Sequence, residues 1–241
     1  PTAEISEAVE PIVYWVDSGA PEPVKTALIE GALWWNQAFE AAGYKDAFQV
    51  KVLPAGVDSM DIRYNVIQWV HRSTRGWSYG ASVRDPRTQE ILKGHVTLGS
   101  LRVRQDYLIA EGLVAPYGDS NSSEAIGEFA LARIRQLSAH EVGHTLGIAH
   151  NFAASADDRA SVMDYPHPFV TLTESGEVEL GDAYDEGIGA WDKRAIVWGY
   201  QDFPEGDSEA DGRAAIIEET LASGLTYVAD EHARIGSRSS A

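Results

Sequence analysis

The stretch HEVGHTLGIAH, residues 140–150, decides how the rest of this chain is interpreted. Residues four apart lie one above the other on a helix, so His140 and His144 can direct their imidazoles at one ion. Glu141 would lie beside that ion. A catalytic zinc takes three protein ligands and keeps one position open for water. His150 is the candidate third ligand, and the segment therefore predicts a site for Zn²⁺ held by three histidines.

Gly147 explains how the third histidine would reach the ion. A continuing helix would carry His150 to another face, more than a turn beyond His144. Glycine takes the left-handed backbone conformation without a steric penalty, so the chain can turn back at Gly147. We therefore predict a helix from about Glu124 to Leu146 that ends at this glycine.

A second segment, Ser161–Pro166, contains Met163, one of only two methionines in the chain. With the histidine pattern upstream, it resembles the Met-turn of the metzincins, zinc metallopeptidases in which a methionine-containing turn packs beneath three zinc histidines. The sequence around the site is most similar to large bacterial multidomain proteins described as zinc-dependent metallopeptidases. The resemblance implies a zinc endopeptidase that uses a zinc-activated water, with Glu141 as the general base.

Tyr165 follows the methionine by two residues, the spacing at which astacins and serralysins carry a tyrosine that contacts zinc. The resemblance implies that Tyr165 is a fifth zinc ligand, or that its phenol donates a hydrogen bond to the oxyanion of the tetrahedral intermediate. A buried tyrosine bonded to the backbone is the alternative.

The order of patterns predicts an α+β fold with a twisted, five-stranded mixed sheet, a backing helix and the helix that carries the histidines. Predicted strands lie at 12–17, 48–53, 62–70, 79–83 and 91–98, and predicted helices at 24–43 and 188–200, the latter ending at a glycine, and at 214–222. We expect loops at 112–123 and 203–212. The resemblance implies one domain, 1–241, with an upper subdomain at about 11–147 and a smaller, mainly helical C-terminal subdomain at about 148–230.

The substrate of such an enzyme would be a peptide bound as an extended strand along a sheet edge. Tyr79, Gly80 and Ala81 are the candidate edge, because the two small residues would let another backbone approach. By resemblance, the residues after the Met-turn form the wall of the pocket for the side chain after the cut, namely Pro166, His167 and Pro168. Other histidines, His71, His95 and His232, lack ligand spacing and are predicted to be structural or exposed.

Composition limits the classes of function. The chain has no cysteine, which excludes disulfides and thiolate metal sites. A formal charge of −18 argues against nucleic acid as a partner, because binding phosphates requires an excess of Lys and Arg. No apolar run approaches the length of a membrane span. At 241 residues and 44% hydrophobic, the chain is long enough to bury one good core.

The ends of the chain, before Pro11 and from 235 to 241, lack an apolar pattern, and its first residues do not have the positive-then-apolar pattern of a signal segment. We therefore expect a catalytic domain from a longer precursor, monomeric as this fragment and working in the periplasm or outside the cell. Two other functions stay open: a zinc hydrolase of a non-peptide amide, which the Met-turn disfavours, and a binding module without turnover, which an intact Glu141 disfavours.

Overall fold

The computed structural model describes residues 5–74, 76–114 and 121–233. The strands are β1 Ser6–Glu7, β2 Ile12–Val16, β3 Tyr44–Lys45, β4 Phe48–Val52, β5 Asn65–Val70, β6 Tyr79–Arg84, β7 Ile91–Gly99, β8 Thr171–Leu172 and β9 Val178–Glu179. The α-helices are α1 Val24–Leu33, α2 Trp35–Ala41, α3 Ser100–Leu113, α4 Asn121–Thr145, α5 Ala190–Tyr200, α6 Glu209–Ala222 and α7 Asp230–Ala233. A short 3₁₀ turn spans Ala154–Ala156.

Five strands form the central sheet in the order β4-β2-β5-β7-β6. Neighbouring strands run parallel except β6, which pairs antiparallel with β7 through the hairpin at 85–90. Along β2, Tyr14 and Val16 are buried while Trp15 between them is partly exposed, as expected where one face of a sheet covers a core. This confirms the predicted mixed sheet and leaves β6 as an edge strand.

The predicted long helix over 24–43 is interrupted at Trp34, so α1 and α2 are separate segments. Trp34 keeps right-handed helical angles, but its N–H bonds to the carbonyl of Gly31, three residues back, which tightens the turn. Gly31 faces α4, where an added Cβ would lie 2.0 Å from the Arg135 carbonyl oxygen. The two helices therefore cross at a distance that only glycine allows.

Two buried hydrogen bonds fix α4 just before the first candidate ligand. The Trp35 indole donates to the carbonyl of Ala139 at 2.8 Å, and the Ser138 hydroxyl donates to the carbonyl of Leu28 at 2.7 Å. Trp35 is fully buried in the main core. The α1–α2 pair thus holds the helix that carries His140 and His144 in place beneath the sheet.

Other differences from the prediction are local. Helix α3 was not predicted, β5 begins at Asn65 rather than at 62, and α5 begins at Ala190 and passes through Gly199 to Tyr200 instead of ending at that glycine. Helix α6 begins at Glu209, because the Ser208 side chain accepts a hydrogen bond from the Asp211 amide and caps it. The predicted acidic loop is shorter as a result.

Some predictions lie outside the described residues. The predicted loop over 112–123 falls largely on 115–120, although Gly112 belongs to α3 and Ser123 to α4. The predicted featureless tail over 235–241 also lies outside them. Within the described part of the chain, none of the helices combines the length and apolar character needed to cross a bilayer.

Candidate metal centre

The backbone brings three histidines to one point. Helix α4 places His140 and His144 one turn apart, and Gly147 then adopts φ +93°, which confirms the predicted left-handed glycine. The Ile148 amide donates to the Gly143 carbonyl at 3.0 Å and the Gly147 amide to the His144 carbonyl at 3.1 Å, a Schellman-type helix end. This end reverses the chain so that His150 lies beside the helix histidines.

The spacing of the imidazoles fits a zinc ion. Nε2 of His144 lies 3.2 Å from Nε2 of His140 and 3.2 Å from Nε2 of His150. Tetrahedral coordination with zinc–nitrogen bonds of 2.0–2.1 Å separates two ligand nitrogens by about 3.3 Å. Two of the three nitrogen pairs therefore already have the spacing of a zinc site, and the ligand atoms of all three histidines lie within 4.8 Å of one another.

Each imidazole is oriented through its other nitrogen. Nδ1 of His140 lies 2.8 Å from the Val162 carbonyl oxygen. Nδ1 of His144 lies 2.9 Å from the Ile148 carbonyl oxygen. Nδ1 of His150 lies 2.8 Å from a carboxylate oxygen of Asp230. These acceptors place the proton on Nδ1 and leave Nε2 free to bind a metal. Burial lowers the pKa of His140 to about 3 and also lowers that of His144, so both are neutral, as metal ligands must be.

Met163 is completely buried in the turn that follows the histidines. An added Cβ at Gly143 would lie 2.3 Å from the Met163 sulfur and 2.7 Å from the Trp35 ring, so Gly143 leaves the room that the thioether fills. The backbone amide of Asn151 also donates to the Met163 carbonyl at 3.0 Å. The methionine therefore packs against the turn of α4 that separates the two helix histidines.

Asp192 on α5 holds the turn from the other side. It is fully buried, and its carboxylate accepts from the Ser161 hydroxyl at 2.5 Å, the Val162 amide at 2.8 Å and the Gly189 amide at 3.0 Å. Because the Val162 carbonyl is the acceptor for His140, Asp192 indirectly sets the orientation of that imidazole. Burial raises the pKa of Asp192 to about 6, which leaves it mostly ionised at neutral pH.

Glu141 is 4% exposed and follows His140 on α4. The Gly80 amide donates to its carboxylate, while burial raises its pKa to about 7. An added Cβ at Gly80 would lie 2.0 Å from the Glu141 carbonyl oxygen, so α4 packs directly on β6 at this residue. On this face of β6 the small size of Gly80 admits the backbone of Glu141, and the role of Gly80 in binding a substrate backbone stays a prediction.

Tyr79 and Ala81 lie on either side of Gly80 in the edge strand β6, where they pair with Thr97 and His95 of β7. The Tyr79 side chain is 41% exposed, and its hydroxyl accepts a hydrogen bond from Arg72 at 3.0 Å. The other edge of β6 has no partner strand in the described sheet. Strand β6, which contains the predicted substrate-binding residues, therefore lies at an open edge of the sheet next to Glu141.

Tyr165 is 51% exposed, which excludes the alternative of a buried structural tyrosine. Its ring centroid lies 4.9 Å from that of His140 and 4.8 Å from that of His150. The ring therefore covers two of the three candidate ligands on the solvent side.

An open cleft of about 530 Å³ lies beside Tyr165 and is lined in part by Pro166, His167 and Pro168. Its volume falls within the range of about 300–1,000 Å³ that is common for ligand sites. A much smaller cavity of about 50 Å³ lies behind Pro166 and is lined by Gln136, among others. Only the larger cleft has room for a substrate side chain.

The remaining histidines discussed above do not join the metal cluster. His71 stacks edge-on against Trp69, His95 lies 3.1 Å from the Gln68 side chain, and His232 is exposed. Sequence analysis missed two carboxylates that orient the ligands, Asp192 and Asp230. Neither has a local signal, since each contacts its target across 30 or more residues of chain.

Residues 122–241 match the model of a family described as Met-zincin, which uses zinc. The matched part contains the three histidines, Glu141, Met163 and Asp230. A comparison with curated proteins gives no match.

Proposed function

We propose that this chain, a member of the metzincin family by its residues 122–241 and its three-histidine centre, is a zinc-dependent endopeptidase. One observation carries the proposal. A buried carboxylate, Glu141, directly follows the first of three histidines whose ligand atoms lie within 4.8 Å of one another, and an open sheet edge lies next to it.

Glu141 would act as the general base and then as the proton carrier. The three histidines would hold zinc, which when bound would supply a more acidic water and Lewis acidity toward the scissile carbonyl. The Glu141 carboxylate would accept a proton from that water and then pass it to the leaving nitrogen. Burial raises the pKa of Glu141 to about 7 in the zinc-free protein, and a bound cation would lower it, so that the carboxylate is ionised and can act as a base at neutral pH.

The peptide would lie extended along the free edge of β6, at Tyr79 and Ala81, with main-chain hydrogen bonds holding it. The side chain after the cut would enter the cleft lined by Pro166, His167 and Pro168. Tyr165, at the mouth of this cleft, would stabilise the oxyanion or ligate zinc through its phenol oxygen. The partner is thus a peptide or protein strand rather than nucleic acid, and a periplasmic or extracellular setting fits such a substrate.

The deciding experiment incubates the purified protein with a mixed peptide library, with a chelator and after zinc is restored. We expect cleavage that the chelator abolishes and zinc restores. In Glu141→Gln, zinc content should be unchanged and turnover should fall by about 10²–10⁴-fold, because general-base catalysis is lost.

Two outcomes would overturn this function. Hydrolysis of non-peptide amides without peptide cleavage would assign the centre to another class of hydrolase. Zinc binding with no turnover of either class in the wild type would make the chain a binding module. Full turnover by a zinc-loaded Glu141→Gln variant would remove Glu141 from the mechanism.

A further inference from the structure

The segment from Thr226 to Asp230 is tied to the residue that follows the third histidine. Asn151 is fully buried, and its side-chain amide donates to the Thr226 carbonyl at 3.0 Å, while its side-chain oxygen accepts from the Val228 amide at 3.1 Å. The Phe152 amide then donates to the Val228 carbonyl at 2.9 Å. Asn151 and Phe152 together bind this segment much as a neighbouring strand would.

Two more contacts fix the same segment. A carboxylate oxygen of Asp157 accepts from the Thr226 amide at 3.2 Å. The Tyr227 ring stacks on Trp191 of α5, with centroids 5.4 Å apart and an angle of 3° between the planes. The path of the backbone from 226 to 228 is therefore determined on both sides, and it leads directly into α7.

Asp230, the first residue of α7, ends this path at the metal centre. One of its oxygens lies 2.8 Å from Nδ1 of His150, 80 residues away in sequence. Its side chain is 45% exposed, so the fold does not depend on burying it.

We propose that Asp230 is a positioning residue for His150 and that Asn151 anchors the segment that delivers it. A carboxylate that accepts from Nδ1–H fixes the tautomer and ring orientation of a metal-binding histidine and makes Nε2 a stronger donor. The inference rests on the three-histidine zinc site of the proposed function, but not on peptidase activity.

His150 needs this support more than the other two histidines. His140 and His144 are set by a rigid helix, and backbone carbonyls accept from their Nδ1 atoms. His150 lies beyond the left-handed glycine, on a segment without regular structure. The carboxylate of Asp230 therefore does for His150 what the helix does for its two companions.

The test measures zinc affinity by competition with a chromophoric chelator, in Asp230→Ala, Asp230→Asn and the matched control Glu231→Ala. Glu231 is the next carboxylate on the same short helix, is exposed and is not part of the cluster. We expect Asp230→Ala to weaken zinc binding about 10–100-fold, the usual cost of losing such a partner. Asp230→Asn, which keeps an acceptor without charge, should lie between Asp230→Ala and wild type.

Two readouts separate positioning from a structural role. The thermal unfolding of the zinc-free protein should be the same in Asp230→Ala as in the wild type. The visible absorption of the Co²⁺-substituted protein should change in Asp230→Ala but not in Glu231→Ala, because only the former alters the geometry at His150.

Asn151 is tested by a double-mutant cycle in zinc affinity. Asn151→Ala should weaken zinc binding, and in the Asp230→Ala background it should add little, because no carboxylate is left to deliver. Additive effects would mean that Asn151 acts on its neighbour His150 directly, and would overturn its role as the anchor.

Unchanged zinc affinity in Asp230→Ala would overturn the inference. An equal loss of zinc affinity in Glu231→Ala would also overturn it, because the effect would then come from net charge. Absence of peptide cleavage would overturn the proposed endopeptidase and leave these affinities interpretable. The two proposals therefore fail independently.

Discussion

The two histidines on α4 and the one beyond it are held by different kinds of group. Main-chain carbonyls of Val162 and Ile148 orient His140 and His144, whereas a side chain, Asp230, orients His150. Backbone acceptors cannot be deleted by substitution and move only if the fold moves. The helix half of the centre is therefore coupled to stability, while the His150 half can be altered on its own.

The largest expected effect comes from removing a helix-held ligand. His144→Ala takes away the nitrogen that lies 3.2 Å from both other ligand nitrogens. We expect zinc content after dialysis to fall from one ion per chain to near zero, as measured by elemental analysis. The control is His71→Ala, an exposed histidine outside the cluster, which should keep its zinc. Unchanged zinc content in His144→Ala would contradict the assignment of the three histidines as a zinc site.

The Tyr165 ring contacts both His140, which is on α4, and His150, which lies beyond it. A substitution here therefore tests whether the helix histidines and His150 act as one site. Tyr165→Phe keeps the ring and deletes the phenol oxygen. If that oxygen is an oxyanion donor, turnover should fall about 10²–10³-fold, or roughly 2.7–4 kcal/mol, with KM nearly unchanged. Steady-state kinetics on a cleaved peptide measure this. A variant with full turnover would leave Tyr165 only a packing role over the histidines.

Asp192→Ala should separate the two halves by stability. The substitution leaves three donors without their acceptor, on Ser161, Val162 and Gly189. The donors on Ser161 and Val162 are buried, and each buried, unsatisfied group costs about 1–3 kcal/mol, so we expect the free energy of unfolding of the zinc-free protein to fall by about 2 kcal/mol or more.

Denaturant titration of the zinc-free protein compares Asp192→Ala with Asp230→Ala, whose partly exposed side chain should cost less than about 0.5 kcal/mol. Equal losses in the two variants would contradict the division between a stability-coupled half and a separable half.

A smaller loss of stability than in Asp192→Ala is expected at the turn between the halves. Gly147→Ala places a side chain at φ +93°, which costs about 1–2 kcal/mol in the left-handed region. Gly199→Ala is the matched control, because this glycine lies inside α5, has open space around it and should gain about 0.5–1 kcal/mol on substitution. A lower melting temperature for Gly147→Ala together with a higher one for Gly199→Ala would support the role of Gly147 in the turn. An unchanged melting temperature for Gly147→Ala would mean that another residue reverses the chain.

The parts of the fold that follow from the sequence are those set by nearby residues. Alternating and helical periodicities predicted the five-stranded sheet and α4, and the histidine spacing with Gly147 predicted where α4 ends. Helix α3 escaped prediction because its buried residues, Asp106 and Ala110, do not form an apolar stripe. The break at Trp34 also has no breaker residue, since it results from packing rather than from propensity.

The site divides in the same way. His140, Glu141, His144 and His150 fall within eleven residues of sequence, so their spacing alone suggested a common ion. Asp192 and Asp230 act through contacts that only the folded chain creates, and nothing near them in sequence distinguishes them from the other acidic residues. Asn151 was visible as the residue after the third histidine, but its role depends on the distant backbone at 226–228.

The position of Asp230 also has a consequence for the order of synthesis. A ribosome that has just added His150 must add 80 more residues before this carboxylate exists, which takes about 4–16 s at 5–20 residues per second. During that interval all three imidazoles are present and the third lacks its partner. Tight retention of the ion is therefore a property of chains that extend past Asp230, and shorter translation products would release it sooner.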